Sequence, residues 1–189
     1  MVRWQPEAGA RLQAAAYELF DSKGFDETTV VEIALAAGLT ERTFYRYFAD
    51  KREVIFGRQD LFKDAFLNGI TEAKVDASPL RIVTDAVIAA ATFFADEHRA
   101  YSQLRHKVIA ANPELQEREL LKMSALAGAI AEALRARGIH EPAATLAAET
   151  GVTVFRVSFA QWIAPTCERS LIEIEREVFD QFGSLAALR

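Results

Sequence analysis

The chain has 189 residues, 51% of them hydrophobic and 26% charged, with nine glycines and five prolines. That composition excludes a disordered or low-complexity chain and is enough for one core or two small ones. A net charge of −5 excludes a broad basic footprint, so any nucleic-acid contact must be local.

In chain order, residues 1–5 read as a short arm in which Arg3 could reach a minor groove or simply fray. A first helix is predicted from about Pro6 to Lys23, with Leu12, Ala16, Leu19 and Phe20 as its buried stripe. Gly24 ends it and Phe25 folds back on Phe20. The stretch from Thr28 to Lys51 is the informative one. Thr29 is an N-cap with Glu32 in the capping-box position, and Val30, Ile33, Ala34 and Ala37 follow at helical spacing. Gly38 breaks that helix, and Thr40 starts another with Glu41 in its first turn, where the helix dipole favours an acid. In this third helix Phe44 and Phe48 share a face and point inward. The opposite face carries Arg42, Arg46 and Ala49, flanked by Thr43 and Tyr45, a set of donors on a rod thin enough for a major groove. Lys51 and Arg52 follow, placed for phosphates. Spacing alone leaves a second reading open, a solvated face in an ordinary helical protein.

These residues resemble the DNA-binding domain of the tetracycline-repressor (TetR) family. The match runs through Thr29-Val30, Ile33-Ala34, Ala37-Gly38-Leu39-Thr40, Thr43-Phe44-Tyr45, Tyr47-Phe48 and Lys51. The resemblance covers about the first third of the chain. It implies an all-α protein of about nine helices. An N-terminal three-helix helix-turn-helix head would span 6–66 (motif 29–48), and a C-terminal helical-bundle body for ligand binding and dimerisation 67–189. It also implies phosphate contacts from Tyr45, Tyr47 and Lys51, with Thr29 and Thr40 able to contribute from helix starts. Many members carry histidine where this chain has Tyr47, which keeps a polar tip. Arg42 and Arg46 are the candidates for guanine edges, and Glu41 for a cytosine amino group or its own helix end.

A fourth helix is predicted from about Lys51 to Ala73, with Ile55, Phe62, Phe66 and Ile70 on one stripe. The resemblance makes it a single rod linking head to body, whose tilt would move the third helix. Further helices are predicted over Pro79–Glu97, Arg99–Ala111, Pro113–Arg137, Pro142–Ala164 and Leu171–Leu188. The stripe of the seventh is Leu120, Ala127, Ile130, Ala131 and Leu134. The eighth reads as apolar nearly all round, and the ninth has a stripe of Leu171, Ile174, Val178, Phe182 and Leu185. One body cannot easily cover both, which points to a homodimer through the last two helices, as the resemblance also implies. The alternative is an eighth helix central to its own core. A two-fold pair of heads would read a palindromic double-stranded DNA operator.

The resemblance further implies a small-molecule effector in the body. The aromatic candidates are Phe94, Tyr101, Phe155, Phe159 and Trp162, and the polar ones Arg105, His106 and Arg156, with Arg156 open to pairing with Glu149 instead. Catalytic motifs are missing, and His98, His106 and His140 lack metal-ligand spacing. One cysteine, Cys167, excludes a disulfide framework and a cysteine-rich zinc site. No enzyme activity, cofactor or metal is therefore expected. With no apolar run of membrane-span length and no signal core, a cytoplasmic protein is expected. The functional expectation is a ligand-released, DNA-binding transcriptional repressor. The alternative is a DNA-architectural dimer without ligand response.

Overall fold

The computed structural model describes residues 7–57 and 59–187, so the Arg3 arm and Pro6 lie outside the described residues. Those residues form helices and no strand. In order they are α1 (Glu7–Lys23), α2 (Val30–Ala36), α3 (Glu41–Tyr47), α4 (Glu53–Phe56), α5 (Gln59–Glu72), α6 (Pro79–Ala90), α7 (Arg99–Ala111), α8 (Pro113–Ala136), α9 (Ala143–Trp162) and α10 (Leu171–Ala186). Two 3₁₀ turns, Ala91–Phe93 and Asp96–His98, lie between α6 and α7. With α4 and α5 taken as the one fourth segment expected, the helices number nine.

The fourth segment is not a single rod. α4 stops after one turn at Gly57, and side chains take over the carbonyls it leaves unpaired. Gln13 Nε2 donates to the Val54 carbonyl (2.8 Å), while Tyr17 Oη (3.4 Å) and Arg105 Nε (3.1 Å) donate to that of Ile55. The Phe48 ring occupies the space beside Gly57, 2.6 Å from where a β-carbon would stand. These partners come from α1, α7 and the end of α3, and local periodicity could not announce them. The fifth predicted helix is also shorter than expected. α6 ends at Ala90, and Phe94 adopts φ −107°, ψ 73°, outside the helical region.

The chain folds as two compact units. The first runs to Gln59 and includes Leu104–Glu117; the second comprises Asp60–Gln103 and the residues from Arg118 on. The core of the first unit joins Leu12, Phe20, Phe25, Ile33, Phe44, Phe48, Ile55 and Phe56 to Val108, Ile109 and Leu115. Phe25 does fold back on Phe20, with ring centroids 5.1 Å apart.

The second core is built from α5, α6, α8, α9 and α10. Its densest part is aromatic: Phe62 lies 4.9 Å from Phe66, 5.2 Å from Phe94 and 4.7 Å from Phe155 between ring centroids. Arg137 donates to the carbonyls of Thr71 (3.1 Å), Ala73 (2.8 Å) and Lys74 (3.0 Å), closing the C-terminal end of α5. α9 is not apolar all round. Val152, Val154, Phe155, Trp162 and Ile163 are buried, but Thr153, Arg156, Val157 and Gln161 are exposed. The unit covers the buried stripes of α9 and α10 by itself, while Leu146 and Val157 on α9 stay exposed. Leu120 and Leu185, expected on core stripes, are exposed.

Candidate nucleic-acid interface

The surface is assembled by caps. At the start of α2, Thr29 Oγ1 accepts from the Glu32 N–H (3.2 Å), and the Glu32 carboxylate accepts from the Thr29 N–H (2.9 Å). The Lys23 ammonium also binds Glu32. It is the main reason, ahead of the Thr29 donors, that the Glu32 carboxyl falls to about 2. The turn out of α2 closes with Leu39 N–H donating to the Ala34 carbonyl (2.8 Å) and Gly38 N–H to that of Leu35 (2.9 Å), the Schellman pattern. Gly38 sits at φ +66°, a backbone region that a β-carbon disfavours. The Arg11 guanidinium reaches across from α1, donating to the Ala37 carbonyl and standing 2.9 Å from the missing β-carbon.

α3 follows at once. Thr40 Oγ1 accepts from the Thr43 N–H (3.2 Å). Phe44 is fully buried and Phe48 nearly so, with ring centroids 5.5 Å apart. Phe48 itself has left the helix, at φ −134°, yet still holds α3 from behind. The outer face carries Glu41, Arg42, Tyr45 and Arg46, all exposed, with Thr43 half-buried among them. Among the described residues neither arginine meets a carboxylate; Arg46 lies over the Tyr47 ring at 5.1 Å. Thr40, Arg42, Thr43, Tyr45 and Arg46 line an open concavity of about 590 Å³. The geometry therefore offers guanidinium, hydroxyl and phenol groups on one turn-and-a-half of helix, presented outward, the donor set that base edges and phosphates accept from.

Other predicted contact residues also have partners within the fold. Lys51 is half-buried; its Nζ donates to the carbonyls of Phe25 (2.5 Å) and Asp26 (3.3 Å) and sits 4.2 Å over the Phe25 ring. Burial lowers the pKa of its ammonium. Arg52 pairs with Asp50 (2.9 Å) and Glu114 (3.2 Å). Thr29 spends its hydroxyl on Glu32, and the Tyr47 ring packs against α1 at Gly9. The role of Arg11 as the clamp on the turn depends on a contact with a residue distant in sequence, which local spacing does not announce.

Comparison with known proteins places the chain. The profile described as bacterial regulatory proteins, tetR family, matches residues 12–56, and that described as the MftR C-terminal domain matches 77–186, more than half the chain. The chain belongs to the TetR family. It is 34% identical over 101 residues to MftR of Mycobacterium tuberculosis, named for regulation of mycofactocin biosynthesis, covering 53% of this chain and 50% of that one. It is 31% identical over 106 residues to the HTH-type transcriptional repressor BepR of Brucella suis, covering 52% and 50%. This TetR-family chain thus spans about half the length of these curated relatives. Bacillus subtilis FadR, solved in complex with stearoyl-CoA, superposes with a TM-score of 0.60 at 20% identity, over 95% of this chain and 99% of that one.

The residues expected to bind an effector in the TetR body do not all come together. Phe94, Phe155, Phe159 and Trp162 do: Phe94 lies 5.7 Å from Phe155, 5.2 Å from Phe159 and 6.0 Å from Trp162. Tyr101 is half-buried in the same unit. Arg105 and His106 belong to the first unit, where Arg105 is held by Ile55 and the Phe56 ring and His106 is exposed. Arg156 and Glu149 are both exposed on α9. The buried polar side chains of the second unit are others, Ser102, Ser158 and Glu175. Glu175 was legible in principle, since it falls beside Ile174 inside the stripe Leu171, Ile174, Val178.

Proposed function

We propose that this TetR-family chain is a DNA-binding transcriptional repressor of the bacterial cytoplasm. It would act as a homodimer on a palindromic operator and be released by a small molecule. The observation that carries the reading is the outward presentation of Arg42 and Arg46, free of carboxylates, on a helix fixed by Phe44, Phe48 and two capped helix starts. Each good bidentate arginine–guanine contact supplies about 1–3 kcal/mol of discrimination. Thr43, Tyr45 and Tyr47 would add phosphate contacts. Release requires a coupling of only about 1–3 kcal/mol between effector and operator, which is reciprocal. The fourth segment is two helices, α4 and α5, rather than one. α7 and α8 each carry the chain from one unit to the other without a break, so we assign the signal to them. BepR, named a repressor, supports the direction of control.

A gel shift on the DNA upstream of the chain's own gene tests this. A discrete, salt-sensitive shift abolished by Arg46→Ala supports it. Equal binding to random DNA refutes it, and a monomer at micromolar concentration removes the palindrome.

A further inference from the structure

The core of the second unit holds polar groups that its packing does not use. Glu175 is completely buried on α10, and neither carboxylate oxygen has a hydrogen-bond partner; Ser158 is completely buried on α9, and its Oγ has none. α9 and α10 pack against each other. Ser158 lies one turn before the end of α9 at Trp162, and Glu175 one turn after the start of α10 at Leu171. Each is therefore about 6 Å along its axis from the end of its helix that meets the connection. The surroundings of Ser158 are aromatic: Phe155, Phe159 and Trp162 lie within a turn of it on α9, and Phe94 packs on all of them. Besides α9, α10 packs on α6 and on Ala91–Phe93, whose inward residues Ile82, Val83, Ala86, Val87, Ala90 and Ala91 offer no donor.

A carboxyl and a hydroxyl without partners in an apolar core are costly to retain, and apolar side chains of similar shape would fill the same space at no such cost. We propose that Glu175 and Ser158 form the polar end of the effector site, and that the effector is an apolar, aromatic-compatible molecule carrying a hydrogen-bond donor head, an ammonium or a hydroxyl. Its apolar body replaces contacts among the Phe94, Phe159 and Trp162 rings, and its head donates to the Glu175 carboxyl. An anionic head is rejected, because its charge would be buried in an apolar core with no cation beside it. The inference rests on the ligand-released reading above.

Thermal denaturation of the full chain with 4-phenylbutylamine, 4-phenylbutan-1-ol and 4-phenylbutyrate tests it. At a hundredfold excess over Kd, the amine and the alcohol should raise the wild-type Tm by roughly 5–10 °C, and the carboxylate should not. Glu175→Leu should lose both responses. Glu175→Gln, which keeps shape and hydrogen bonding, should lose the amine response and keep the alcohol's. Ser158→Ala should weaken both. The proposal is overturned if the carboxylate stabilises as well as the amine, if Glu175→Leu still responds, or if no probe shifts wild type. A Tm response without any change in operator binding would uphold the site and refute release, so the two failures are distinguishable.

Discussion

Glu175 also makes a prediction about stability that needs no ligand. Burial pushes its carboxyl from an ordinary 4.5 up to about 8. No compensating charge faces it. Arg81 and Asp85 on α6 pair with each other at the surface (2.9 Å), Ala91–Phe93 carries no charge, and Glu149 and Arg156 on α9 and Glu173, Arg176 and Glu177 on α10 are exposed. Between pH 4.5 and 8 the folded state holds a proton that the unfolded chain has lost. Stability therefore falls as pH rises through this window and levels off above it. At about 1.4 kcal/mol per unit, the loss reaches about 3 kcal/mol at pH 7. Glu175→Gln cannot ionise, so it should match wild type near pH 4.5 and exceed it by about that amount at pH 7. Urea denaturation of both proteins at pH 5, 7 and 8.5 measures the difference, in which all other titrations cancel. A difference that stays flat with pH would refute the reasoning.

Three further outcomes follow from the first unit. Gly38→Ala should cost about 1–2 kcal/mol by urea denaturation, because the position is left-handed and faces the Arg11 guanidinium; wild-type stability would contradict this. Phe44→Ala should cost about 3–5 kcal/mol, as a fully buried ring in a small core, and a loss under 1 kcal/mol would show that the core does not hold α3. Lys51→Met should lower the melting temperature, since two backbone carbonyls lose their donor. It should leave the salt dependence of DNA binding unchanged. A slope reduced by about one, with stability intact, would instead make Lys51 a phosphate contact.

Sequence made the helix-turn-helix legible because its signals are local. Thr29 with Glu32, Gly38, Thr40, and Phe44 with Phe48 are each set by neighbours within five residues, and all but Phe48, which stands just past the end of α3, keep the place spacing gave them. What was illegible depends on distant partners. Ile55 fits the same stripe as Phe62 and Phe66, yet it belongs to the first core while they belong to the second. The break at Gly57 answers to Gln13, Tyr17 and Arg105, and the boundary of the first unit to Val108, Ile109 and Leu115. Arg156 stood out in an oily helix because a one-dimensional count does not say which side of that helix faces water. Lys51 was assigned to phosphate by its charge, its place and the family resemblance, and the folded loop also supplies it with carbonyls. Glu175 was passed over for the opposite reason, since a glutamate in a charged helix is normally solvated.

The central claim is that α3 reads base edges through Arg42 and Arg46. It is tested most directly by the ratio of affinities for the operator and for random DNA, measured at one salt concentration in wild type and Arg46→Ala. A lost guanine contact of about 1–3 kcal/mol lowers that ratio by roughly 5–150-fold, while random-DNA binding falls far less. A ratio unchanged by Arg46→Ala and by Arg42→Ala would mean that the exposed arginines touch no base.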